Sequence, residues 1–113
     1  MHEMSLVESI VELVEDEGRK QDFLRVRMIR LAVGALGHAE PEALRFCFDA
    51  ITKGTIVDGA RLEIERVPGE GWCSGCRRIV PLEERFAVCP ACGNYQVQMT
   101  AGDELRVTEM EVE

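Results

Sequence analysis

The sequence lacks any apolar run approaching the roughly 20 residues needed to cross a bilayer, and this excludes a helical membrane protein. A basic patch ahead of an apolar block is missing at the start as well. MHEMSLVESIVELVEDEG carries acids throughout and shows helical periodicity, so no secretory leader is expected and a cytosolic address follows. Positive charge is scarce: 13 Lys and Arg stand against 21 Asp and Glu, for a net charge of −8. Such a surface repels a phosphate backbone and forfeits the counterion release that drives most nucleic-acid affinity, so nucleic acid is not an expected partner. Internal repeats and low-complexity tracts are absent. So are a nucleophile with a spaced base, a phosphate-binding loop and a paired-carboxylate motif, which argues against an enzyme. Glu83 and Glu84 read as a solvated turn rather than as catalytic acids.

What is present fits one compact domain of 113 residues, or one small domain carrying a satellite too small to bury its own core. Over residues 4 to 17, Leu6, Val7, Ile10, Leu13 and Val14 recur at helical spacing opposite Glu8, Glu12, Glu15 and Asp16. Gly18 stands where such a helix would stop. Residues 23 to 33 alternate and then slip phase, which predicts a strand with a bulge or with both faces covered. Its Arg25, Arg27 and Arg30 read as a solvated or partner-facing stripe. Glu40-Pro41 opens a second helix with Leu44, Cys47, Phe48 and Ile51 inward and Gly54 past its end. Cys47 reads there as a buried core thiol. A second strand is expected over 61 to 67 and a third from Leu105 to Val112. The class is α+β: two helices on a small three-stranded sheet.

Between the last two strands the composition changes. From Gly69 to about Tyr95 large apolar residues are few, Trp72, Ile79, Leu82, Phe86 and Val88 among them, too few for a core. The same stretch holds C73-S-G-C76 and C89-P-A-C92. Five cysteines cannot all pair, and two CxxC motifs twelve residues apart suit a metal better than disulfides or a redox pair. Two tight turns of two thiolates each can close a tetrahedron on zinc, with an iron–sulfur centre as the alternative. Cys73, Cys76, Cys89 and Cys92 are therefore the expected ligands of a structural ion. Gly93, and in a similar way Gly75, are expected to supply backbone freedom at the turns. The division expected is residues 1–68 with 98–113 as one domain and 69–97 as an inserted zinc-ribbon module.

The first residues are Met1-His2-Glu3. A bulky penultimate His disfavours removal of the initiator Met, so the α-amine, the amide of His2 and its imidazole can ring one ion. That nitrogen-rich planar set is preferred by Ni(II) or Cu(II). His38, in a loop before the second helix, reads as a surface residue.

Taken together, the opening MHEMSLVESI, the central VGALGHAEPEALRFCFDAITKGT, the late WCSGC and CPACG, and the closing GDELRVTEMEVE resemble the HypA/HybF family of hydrogenase maturation factors along essentially the whole chain. The resemblance implies a nickel metallochaperone, not an enzyme, that binds Ni(II) at its N-terminus and passes it, with a HypB-type GTPase, to the large subunit of [NiFe]-hydrogenase. It implies that His2 binds nickel with the amine of Met1 and the backbone of His2 and Glu3 beside it. It assigns Cys73, Cys76, Cys89 and Cys92 to zinc, and residues 1–68 with 98–113 to nickel handling. Monomer and homodimer are both open.

Overall fold

The computed structural model describes residues 3–113. In chain order they form α1 (Glu3–Gln21), β1 (Val26–Gly34), α2 (Pro41–Ile51), β2 (Arg61–Val67), β3 (Glu70–Cys73), β4 (Arg78–Pro81), β5 (Val97–Ala101) and β6 (Leu105–Val112). Two three-stranded sheets result, one ordered β2-β1-β6 and the other β4-β3-β5. The α+β class with two helices and a small three-stranded sheet is thus observed. The second sheet is an addition, built in a stretch whose short strands carry no clear alternation. The chain divides into two compact units. The first runs up to Leu31 and takes in Ala39–Glu65 and Arg106–Glu113; the second comprises Ala32–His38 and Arg66–Leu105.

In the first unit α1 packs on α2. Helix α1 does not stop at Gly18 but continues to Gln21. Gly18 is buried, and a Cβ there would lie 3.2 Å from Ile56 Cδ1 and from Phe23 Cε1, so its small size serves packing rather than termination. The stop falls at Asp22, which adopts φ +57°, a left-handed conformation that Asp tolerates better than most residues. The buried stripe is also rotated from the one expected: Val7, Val11, Val14 and Gly18 face inward, and Leu13 is 55% exposed. Helix α2 lies where its signals place it. Glu40 caps it by accepting a hydrogen bond from the Glu42 N–H, Pro41 opens it, and Leu44, Cys47 and Phe48 are buried. Cys47 is a buried free thiol.

Strand β1 begins at Val26, not at residue 23; Leu24 is 83% exposed. Met28 and Ile29 are consecutive and both buried, so this middle strand is covered on both faces, as the phase slip anticipates. Its one half-buried cation, Arg30, donates to Glu63 of β2 at 2.8 Å and pairs with Glu109 of β6. A guanidinium on the middle strand thereby links both neighbours and pins their register. Arg27 likewise pairs with Glu113. These two arginines are therefore cross-strand braces rather than a free stripe.

Two outcomes follow. Leu44→Ala removes a fully buried side chain and should lower the unfolding free energy by about 2–5 kcal/mol, measured by urea denaturation. The hydrogen bond from Arg30, aided by Arg61, holds the Glu63 carboxyl below the usual carboxylate range against the opposing effect of desolvation. A depressed folded-state pKa stabilises above the unfolded value and loses that contribution as pH falls through the folded one. The stability gap between wild type and Glu63→Gln should therefore be full at neutral pH and close on acidification below the ordinary carboxylate range.

Candidate metal centre

The second unit is built around sulfur. Strand β3 delivers Cys73 into a tight turn in which the Arg77 N–H donates to the Cys73 carbonyl at 2.8 Å, and β4 leaves antiparallel with Arg78 opposite Cys73. The second turn repeats the geometry: the Gly93 N–H donates to the Cys89 carbonyl at 2.8 Å. The residue after each CxxC takes a left-handed conformation, Arg77 at φ +54° and Gly93 at φ +74°. Gly93 thus does what its position predicts. Gly75 does something else: a Cβ there would sit 2.9 Å from Asn94 Nδ2 and 3.3 Å from Cys92 Sγ, so it makes room for the opposing turn. Asn94, which the sequence reading passed over, accepts the Cys89 N–H on its carbonyl at 2.9 Å and the Gln96 N–H on its side chain at 2.8 Å. An Asn directly after CxxCG is the available signal for that turn.

The four sulfurs meet. Cys73, Cys76, Cys89 and Cys92 place their Sγ atoms within 4.8 Å of one another. Cys73 and Cys92 are 3.6 Å apart, and Cys76 and Cys89 3.7 Å. A tetrahedral ion with bonds of about 2.3 Å requires sulfur–sulfur edges of about 3.8 Å, so the set fits a four-thiolate zinc ion with no position left for substrate. The Cys76 N–H also points at Cys73 Sγ, at 3.4 Å, a second-layer contact that favours the thiolate. Cys73 and Cys89 are buried with Val80, while Cys76 is half-buried and Cys92 exposed. Cys73, Val80 and Cys89 form a buried cluster with Cys76 and Val97 packed against it.

Electrostatics divides the sulfurs. The backbone N–H of Cys92, and after it that of Ala91, pull the Cys89 thiol down to about 6, against the effect of desolvation. Hydrogen bonds with Cys92 and Cys89, followed by desolvation and Cys73, push the Cys76 thiol up to about 12. An ion entering the cluster must therefore displace protons, which ties its affinity to pH.

Of the other residues singled out by sequence, Met1 and His2 lie outside the described residues. Glu3 opens α1, and its carboxylate accepts the Glu40 N–H at 3.2 Å, so it anchors the start of α1 to the cap of α2. His38 is exposed, as are Glu83 and Glu84.

A family profile described as "Hydrogenase/urease nickel incorporation, metallochaperone, hypA" matches residues 1–112. The chain belongs to the HypA family. It is 79% identical over 113 residues to the hydrogenase maturation factor HypA of Methylocella silvestris, with all of both chains covered. It is 54% identical over 112 residues to that of Rhizobium leguminosarum bv. viciae, with 99% of each covered. The solution structure of the Ni metallochaperone HypA from Helicobacter pylori shares the fold at TM-score 0.73 and 24% identity, covering 99% of this chain and 97% of that one. HypA proteins are maturation factors for nickel incorporation rather than enzymes, and this member carries a four-cysteine metal-binding cluster. Among the described residues no helix is long and apolar enough to cross a membrane.

Because an ion must displace thiol protons to enter the cluster, metal affinity measured against a chelator should fall progressively as the pH is lowered. Stripping the ion should collapse the amide NMR dispersion of residues in β3, β4 and β5 while leaving that of α1 and α2 in place; a spectrum unchanged by stripping would show that the module does not depend on metal.

Proposed function

We infer that this HypA-family chain carries Ni(II) at its N-terminus for the maturation of [NiFe]-hydrogenase. The carrying observation is that the nickel-incorporation profile extends through the first residues, where this chain has Met1-His2-Glu3. In this reading the Met1 amine, the His2 imidazole and the backbone of His2 and Glu3 form the ligand set, a nitrogen-rich group suited to Ni(II). Anchoring of the Glu3 carboxylate at the cap of α2 supports it, because the ligating atoms then precede a fixed point in the chain. A chaperone must also let its ion go, and a few terminal atoms exchange ligands more readily than a closed four-sulfur cage.

The second ion in this reading is structural zinc at Cys73, Cys76, Cys89 and Cys92, supported by the sulfur spacing. Residues 1–68 and 98–113 handle nickel, and residues 69–97 form the zinc module. The partners are a HypB-type GTPase and the hydrogenase large subunit, met in the cytoplasm; nucleic acid is no partner of so acidic a chain.

Isothermal titration of Ni(II) into protein with an authentic N-terminus tests the assignment. His2→Ala should weaken binding by at least about tenfold, and so should an N-terminal tag that removes the free amine. Affinity should fall as the pH passes below about 6.5, where imidazole protonates. Equal affinity in wild type and His2→Ala would end the proposal and leave a zinc-stapled adaptor.

A further inference from the structure

A divalent ion held by four thiolates leaves a surplus of negative charge, and the chain around this cluster is already acidic. Backbone dipoles meet part of the surplus: the Cys76 N–H points at Cys73 Sγ at 3.4 Å. Peptide dipoles are only fractional charges, so they do not cancel it. Residues 69–97 contain three cations, Arg77, Arg78 and Arg85. Arg85 is occupied elsewhere. Its Nε donates to the Leu36 carbonyl at 2.9 Å, and its guanidinium lies 4.0 Å from the Asp103 carboxylate. Arg77 and Arg78 have no carboxylate partner among the described residues. In chain order the negative charge nearest to both is the sulfur cluster itself.

The backbone puts both arginines beside the sulfurs. Arg78 is the strand partner of Cys73. Directly opposite residues of an antiparallel pair project from the same face, with Cβ atoms about 4.5–5.5 Å apart. The Arg78 side chain therefore leaves the sheet on the sulfur side, and the neighbouring Trp72–Ile79 pair on the other. Arg77 directly follows Cys76, and its N–H closes the turn on the Cys73 carbonyl. It holds φ +54° where the equivalent position of the second turn holds Gly93 at φ +74°. That conformation favours glycine, so the turn gains nothing in backbone energy from an arginine; the gain is in positive charge. The second turn, continuing through Gly93 and Asn94, supplies no cation.

We propose that Arg77 and Arg78 offset the surplus charge of the four-thiolate centre and so set how tightly it holds its ion. Loading expels thiol protons, so the loaded centre is its more negative form. Cations beside it therefore stabilise the loaded form over the empty one. Both arginines are exposed, so they act partly through water and are screened by salt, which makes the effect moderate and dependent on ionic strength. The proposal rests on the reading of the centre as a zinc site, and the two can fail separately.

Equilibrium competition for zinc between the full chain and a chromophoric chelator, at fixed neutral pH, gives the test. In about 0.05 M salt, Arg77→Gln and Arg78→Gln should each lower the zinc affinity by about threefold or more, and the double variant by about tenfold or more. The deficit should shrink in about 0.5 M salt. Arg77→Lys and Arg78→Lys keep the charge and should bind as wild type does. Lys53→Gln makes the same change of net charge in the first unit and should have no effect. Gln variants that bind zinc as tightly as wild type would overturn the proposal, and arginines that serve only an acidic partner would appear in this way. A deficit indifferent to salt, Lys variants as weak as the Gln ones, or an equal loss in Lys53→Gln would overturn it too, since none is the signature of a local charge. A wild type with no measurable zinc affinity would overturn the zinc reading and this proposal with it.

Discussion

The second compact unit depends on one convergence: four sulfurs from two turns must arrive within a few ångströms of a common point. Each turn is closed by the same backbone bond, from the residue after the second cysteine to the carbonyl of the first. Each requires a left-handed residue to make that bond. The strands are arranged to deliver these turns. β3 feeds Cys73 in, and its pairing with β4 on one side and β5 on the other holds Arg78 and Val97 opposite that cysteine. Cys73, Val80 and Cys89 form a small buried cluster at the sulfurs, and there the binding free energy of an ion becomes folding free energy.

The first unit is held by ordinary means. Helix α1 packs on α2, β1 is buried on both faces, and Arg30 ties β1 to β2 and β6. Its interior is dense enough that Gly18, in mid-helix, is set by the side chains of Phe23 and Ile56 beside it. The contrast fits the proposed roles, in which one ion maintains a structure and another is cargo carried at the end of a separately stabilised helix.

Much of this was legible in the sequence, for identifiable reasons. Helix α2 has punctuation at both ends, Pro41 and Gly54, and its boundaries followed closely. The cysteine spacing encodes its own geometry, and the four sulfurs meet as expected. The end of α1 misled because glycine has two uses, chain reversal and close packing, and only tertiary structure tells them apart; Asp22 carries the reversal. The start of β1 misled because Leu24 continues the alternation outside the sheet. Strands β3 and β4 were illegible because they are four residues each, β3 reading Glu-Gly-Trp-Cys and β4 Arg-Ile-Val-Pro, too short for an alternation to show. The left-handed Arg77 carries no signal by residue type, since only the repeat of the Gly93 geometry reveals it.

Burial around the four sulfurs is unequal, with Cys73 and Cys89 enclosed and Cys92 open to solvent. A tetrahedron sealed at two corners and open at another has a preferred edge of dissolution. Chelators, oxidants and competing soft cations therefore meet the Cys92 sulfur before those of Cys73 and Cys89.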